Sequence, residues 1–291
     1  MSVKLKAKNT LFQILNMLPE KVGTSIYHKV QKWFDSSNIH YKIKSSQSSF
    51  LTFERLTKKS NISILNKSVI EIGSGWLPLM PYFFKYMGKA SMVETYDLNK
   101  HYNKKNIKIL NREFSKQFEI SIAKKETNQY DLPEGIHYFP KTDLTKIAIK
   151  KVHFVFSRFV LEHVNPLDIK RMHQKFKKEI PGAYIIHLIS PSDHRAYVDK
   201  NLSNQDFLRF NEEEWKKKHT RFDYHNRLRL PQYLEIFKDL GYEVLLLEFE
   251  CAPIDSETYK KFKTVPLHMD YQKYSDDELT AGSINIVMKL G

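Results

Sequence analysis

The chain has 291 residues, 41% hydrophobic and 13% aromatic, enough to bury a sizeable core and to exclude wholesale disorder. A single cysteine, Cys251, excludes an internal disulfide and a cysteine metal cluster, and points to a reducing cytoplasm. The net charge of +14 admits nucleic acid, an anionic membrane surface or an acidic substrate, but scattered lysine clusters also read as a solvated surface.

The stretch LFQILNML is short and interrupted by Gln13 and Asn16, so neither a signal peptide nor a membrane span is expected. Residues 11–34 carry apolar residues at helical spacing, broken by Pro19 and Gly23, which predicts two short amphipathic helices. Their basic, amphipathic character makes them a candidate for lying on an anionic bilayer. Residues 35–49, rich in serine, read as a loop or linker, with a further helix over 50–58.

From residue 67 the pattern changes. VIEIG reads as a buried strand, PLMPYFFKYMG as a helix stopped by Gly88, and SMVETYD as a second strand. A helix over 99–120 follows, then strands IHYFPK and HFVFSRF, the helix LDIKRMHQKFKKEI and the apolar strand AYIIHLIS. Residues 191–230 are polar, charged and aromatic and interrupt the alternation. The helix PQYLEIFKDLG and the strands YEVLLLEFE and SINIVMKL close the chain. Strands alternating with helices predict an α/β fold with a parallel sheet wound by right-handed crossovers. The expected divisions are an N-terminal helical extension (1–60), a binding core (61–190), an insertion reading as a lid (191–230) and a C-terminal part of the core sheet (231–291).

A strand running into Gly73-x-Gly75 and then a helix places a ligand beyond the carboxyl ends of the strands. Where a dinucleotide loop has its third glycine stands Pro78, which suits a helix start near residue 78. Pro78 and Pro81 remove amide donors near the ligand, which argues against a phosphate cradle.

The runs VIEIGSGW and VETYDLN resemble motifs I and II of the class I S-adenosylmethionine-dependent methyltransferases. The resemblance implies a Rossmann-like, doubly wound, seven-stranded sheet, mostly parallel with an antiparallel last strand. It also implies that S-adenosyl-L-methionine is held by Glu71, Gly73, Ser74, Gly75 and Trp76, with Asp97 and Leu98 at the ribose. Asp143 and Leu144 would lie at the adenine, and Ser157 and Arg158 after the fourth strand. FVFSRFVLEHVNP is similar to the family's fourth strand and active-site loop. EIGSGWLPLMP, LPEKVGTSIYHKVQKWF and HLISPSDHRAYVDKNLSNQDFLRF resemble bacterial methyltransferases associated with surface-polysaccharide or sugar modification, which implies a glycan or small-molecule acceptor.

A hydroxyl acceptor must lose a proton, most often to histidine. His163 after the fourth strand and His194 after the fifth are equal candidates for the base, whereas His187, inside an apolar strand, reads as a core histidine. Asp193, Arg209, Tyr224, Asn226 and Arg227 are residue types that bind sugars or anions. Glu162, Asp193 and His194 offer ligand types, but no H-E-x-x-H spacing is present and no metal is expected. Two alternatives stand beside methylation of a sugar: nucleic-acid methylation, and a membrane-surface protein with a non-catalytic cofactor fold. Against the first, Ser157-Arg158-Phe159-Val160 occupies the place of the Asn/Asp-Pro-Pro-aromatic motif that holds a flipped base.

Overall fold

The computed structural model describes residues 2–34, 38–123 and 129–290. Three helices, α1 (Val3–Met17), α2 (Glu20–Phe34) and α3 (Ile39–Lys59), precede the sheet. The alternation follows as β1 (Ser68–Ile72), α4 (Leu79–Tyr82, continued by a π turn over Phe83–Met87), β2 (Met92–Asp97), α5 (Lys104–Phe118) and β3 (Ile136–Pro140). Then come β4 (Phe154–Arg158), α6 (Pro166–Glu179) and β5 (Tyr184–Ile189). The insertion holds α7 (Arg195–Val198) and α8 (Glu212–Lys216); the chain ends with α9 (Leu230–Asp239), β6 (Tyr242–Glu250), α10 (Glu257–Lys263), α11 (Asp276–Thr280) and β7 (Gly282–Leu290).

The seven strands lie in the order β3-β2-β1-β4-β5-β7-β6. β1 to β5 pair in parallel, and β7 runs antiparallel to both β5 and β6. The sheet is therefore doubly wound and mostly parallel, as the alternation predicts, with the antiparallel last strand that the family resemblance implies. Strand residues alternate faces with a period of two. Val69, Phe154, Phe156, Ile186 and Val287 join α3, α4 and α5 in one core, while Ile70, Val155, Ile185, Ile286 and Met288 join α6 and α9 in the other. A third, smaller core packs Phe207, Leu208 and Trp215 of the insertion against Phe262, Tyr271 and Leu279 of the β6–β7 connection.

Two expectations are corrected. The loop predicted over 35–49 is, from Ile39 onward, the first half of α3; residues 35–37 lie outside the described residues. Serine has modest helix propensity, and tertiary contacts override it here. Ile43, Ser46 and Ser49 are buried, and Ser45 and Ser46 accept hydrogen bonds from Arg158 of β4. Gly23 does not break a helix but sits inside α2. A Cβ there would lie 2.5 Å from the Leu15 carbonyl oxygen and 2.5 Å from the Arg221 guanidinium, so glycine lets α1, α2 and the insertion meet closely. The α1–α2 break is at Leu18-Pro19, where the residue before proline is extended.

Candidate functional site

In an open α/β sheet a ligand binds beyond the carboxyl ends of the strands, where the strand order reverses. That reversal lies between β1 and β4. Gly73 extends the ladder, donating to the Tyr96 carbonyl at 2.8 Å, and takes φ +77°. A Cβ on Gly73 would meet the Val160 side chain at 2.5 Å, so this glycine lets the loops after β1 and β4 close on each other. Around Gly75, at φ +59°, no atom lies within 4 Å of where a Cβ would stand. The turn is tight against the protein on one side and open on the other. Pro78 is the N-terminal cap residue of α4, one place before the helix begins.

Three carboxylates stand at the ends of three adjacent strands. Glu71 is buried and accepts from Thr95 Oγ1 at 2.5 Å. Burial pushes its pKa up to about 8, against the Thr95 bond, with Asp97 raising it and Arg158 lowering it. Asp97 closes β2 and accepts from Asn99 N at 2.7 Å and Ser74 Oγ at 3.2 Å, with His101 Nε2 3.4 Å away. Asp143 follows β3, and Thr142 N bonds the Asp97 carbonyl at 3.0 Å, tying the two loops together. Burial works to raise the Asp143 carboxyl, but bonds from Thr145 and Lys146 outweigh it and hold it below the usual range.

The remaining residues predicted at this site are dispersed. Trp76 is half-buried against His101, ring centres 4.7 Å apart, and Leu98 is 70% exposed. Leu144 lies in the α6–α9 core. Ser157 is fully buried and bonds His187 Nδ1 at 2.7 Å; His187 in turn lies 3.3 Å from His173 Nε2, the satisfied core histidine the sequence suggests. Arg158 spends both terminal nitrogens on Ser46 and Ser45.

Beyond β4 and β5 the two candidate bases come together with a third histidine. His163 and His194 ring centres are 5.1 Å apart, His163 and His225 4.6 Å, and His194 and His225 4.1 Å. Desolvation lowers all three, His194 to about 4 and His225 to about 2, so neutral imidazoles face one another. His225 carried no sequence signal: it is brought here by the chain returning from the insertion, 62 positions after His163 and 31 after His194. Asn226 fixes that return, donating through Nδ2 to the carbonyls of Leu161 and Val164 at 2.6 and 2.9 Å. Next to the cluster, Glu162 is buried, its pKa is pushed up to about 8 by burial, and its Oε2 has no partner.

The polar residues of the insertion are largely spent within the protein. Arg227 is buried, donates to the carbonyls of Phe207 and Phe210 and pairs with Glu212 at 2.7 Å. Asp193 is held by Arg195, and Arg209 pairs with Asp206 at 3.3 Å. Tyr224 contributes its carbonyl, which accepts from His163 Nδ1 at 3.0 Å. Arg229, which alternates with Arg227 in the stretch leading back to the core, is buried and donates to the carbonyls of Pro191, Arg227 and Leu279.

A roof over the carboxyl edge comes from α1 and α2. His28 of α2 sits 5.6 Å from the Trp76 ring and 5.4 Å from His101. Tyr27 stacks on Phe222 at 4.6 Å, Ser2 N bonds Asp199, and Arg221 bonds the Leu15 and Leu18 carbonyls. The N-terminal helices thus bridge the glycine turn and the insertion. A separate groove of about 700 Å³, bounded by Lys67, His153, Glu179 and Tyr184, lies at the opposite, amino-terminal ends of β1, β4 and β5, away from these groups.

No family model matches the chain, and no curated protein matches it. Among solved structures, magnesium protoporphyrin IX methyltransferase from Synechocystis PCC 6803 with bound SAH is similar at a TM-score of 0.48 and 11% identity, over 98% of this chain and 99% of that one. The methyltransferase domain of a bacterial Hen1 is similar at 0.43 and 13%, over 87% of this chain and all (100%) of that one. LepI in complex with SAH and a substrate analogue is similar at 0.43 and 12%, over 81% of this chain; the chain spans about half of LepI, 46%. Likeness at this level concerns the course of the chain, not its chemistry.

Proposed function

We propose that the chain is an S-adenosyl-L-methionine-dependent methyltransferase that methylates a hydroxyl of a sugar or glycan-like acceptor, with His163 or His194 as the proton acceptor. The observation carrying this reading is the grouping of Glu71, Asp97 and Asp143 at the ends of β1, β2 and β3 around a glycine turn whose Gly75 side is open. Glu71, raised by burial, is suited to pair with a ligand ammonium, which would restore its charge. Asp97, already oriented by Ser74 and Asn99, is suited to ribose hydroxyls, and Asp143, kept ionised, to an adenine amine. The sulfonium supplies the methyl group, so the protein's task is to align an acceptor and exclude water. The neutral imidazoles beyond β4 and β5 support proton removal, since each retains a lone pair at neutral pH.

Calorimetric titration with S-adenosylmethionine and with NAD tests the cofactor; binding of NAD alone would overturn the reading. Transfer of a radiolabelled methyl group to a panel of saccharides and to RNA tests the acceptor, and labelling of RNA alone would replace it. With the acceptor found, His194→Ala should bind the cofactor normally while turnover falls about 10²–10⁴-fold. Full activity in both His163→Ala and His194→Ala would remove the histidines from the mechanism.

A second reading concerns place. Val3, Ile14 and Met17, the last 86% exposed, share one outward face of α1, opposite buried Leu5, Phe12 and Leu15, with exposed Lys4 and Lys6 nearby. Apolar side chains flanked by lysine support docking on an anionic bilayer. No helix among the described residues is long and apolar enough to cross a membrane. Sedimentation of the full chain with anionic vesicles, lost in Ile14→Ser/Met17→Ser, is the expected result; no sedimentation would remove this reading.

A further inference from the structure

His163, His194 and His225 each offer a ring nitrogen, and these three atoms lie within 4.8 Å of one another. We propose that they form a binding site for a divalent transition-metal ion of the zinc class. Two features carry it beyond a chance meeting of rings.

The first is tautomer. His163 Nδ1 lies 3.0 Å from the Tyr224 carbonyl, and His225 Nδ1 lies 3.0 Å from the Asp223 carbonyl. A carbonyl only accepts, so both Nδ1 atoms carry the proton and both lone pairs are on Nε2. Histidine ligands are held in this way, with the far nitrogen donating to a carbonyl or carboxylate. The second is need. His225 is buried and its Nε2 has no partner, although nearly all buried polar atoms have one. Three neutral imidazoles supply acceptors to one another and few donors; an ion between them satisfies all three.

The chemistry of the donor set selects the ion. Three imidazoles without a carboxylate suit zinc, copper, iron, nickel or cobalt and not magnesium or calcium, which take oxygen. Bonds of 2.0–2.1 Å at tetrahedral angles put ligand nitrogens roughly 3.3 Å apart, so closing the site asks for small ring rotations. His194, which is half-buried with its ring stacked on Tyr197 at 4.8 Å, is the ligand placed to swing. Three protein ligands leave a fourth position open, the pattern of catalytic rather than structural zinc.

This proposal rests on the methyltransferase reading only for its consequence, and with the ion bound it replaces His163 or His194 as proton acceptor, because a ligand imidazole has no free lone pair. An acceptor hydroxyl in the fourth position would lose its proton to solvent at a lower pH than a free alcohol. Its oxygen would then bond the methyl carbon as the carbon–sulfur bond breaks, the electron pair leaving on the sulfur of S-adenosylhomocysteine.

The test uses tag-free full-length protein, stripped with a chelator and dialysed against zinc chloride and, separately, cobalt chloride. One ion per chain is expected, with the visible absorption of four-coordinate cobalt. His163→Ala, at the exposed rim, and His225→Ala should each weaken binding by at least about 100-fold, beyond the loss caused by an outer-shell change. His153→Ala, at the far edge of the sheet, should bind as the parent does. Absence of saturable binding, or unchanged affinity in His163→Ala with its circular dichroism intact, would overturn the proposal. Calorimetry with S-adenosylmethionine on the same preparation separates the readings: zinc bound without the cofactor overturns the methyltransferase alone, and the converse overturns the metal site alone.

Discussion

Asp97 and Glu71 make the cofactor reading measurable one side chain at a time. Asp97 is oriented before any ligand arrives, so Asp97→Ala should raise the S-adenosylmethionine dissociation constant about 10–100-fold, the worth of one or two charge-assisted hydrogen bonds, by calorimetry. Burial raises Glu71 and Glu162 to about 8 from the ordinary carboxyl value of 4.5, so the folded chain holds protons that the unfolded chain releases. Their contribution to stability is fully present below the unfolded pKa and is lost as pH rises through about 8. The lowered histidines act oppositely, but only below 6.5. Between pH 6.5 and 8 the carboxyls therefore decide the sign, and unfolding free energy should fall by up to about 1.4 kcal/mol per pH unit for each. Thermal melts across that window, flattened in Glu71→Gln and by saturating cofactor, check it. A flat profile in the parent would contradict the raised carboxyls.

At the level of elements, what periodicity and glycine spacing reveal was legible. The strands of VIEIG and AYIIHLIS announce themselves because buried parallel strands are nearly continuous apolar runs, and their order follows from the helices between them. The beginning of α3 was not legible, because its serines have modest helix propensity and the contacts that favour the helix, with Arg158 and the core, are tertiary. The histidine cluster was hidden for a related reason: its members come from three loops, and no local spacing encodes their meeting. Gly23 was misleading in the opposite direction, since helix crossing and helix breaking both use glycine. Gly23→Ala should destabilise the α1–α2 hairpin by about 1–3 kcal/mol through overpacking against Leu15. Limited proteolysis should then cut within residues 1–34 before the core, and unchanged protection would sink the packing argument. Arg229→Ala, which strands three carbonyls, should cost about 2–4 kcal/mol in denaturant unfolding.

Across the whole molecule, the two cores that flank the sheet draw no residue from α1 or α2 among the residues whose side chains are described. A chain beginning at residue 38 should therefore unfold at nearly the same denaturant midpoint as the parent, yet bind cofactor about tenfold more weakly and release it faster. Loss of cooperative unfolding in that chain would show that the helices are structural rather than a cover. The same roof touches Trp76 beside the glycine turn and Phe222 of the insertion. Because one body leans on both, the proposed cofactor and acceptor would share a single door. Spent cofactor would then have to wait for the roof to lift, and the slow step of each cycle would be departure: a burst of product in the first turnover, then a steady rate set by the hairpin, not the chemistry.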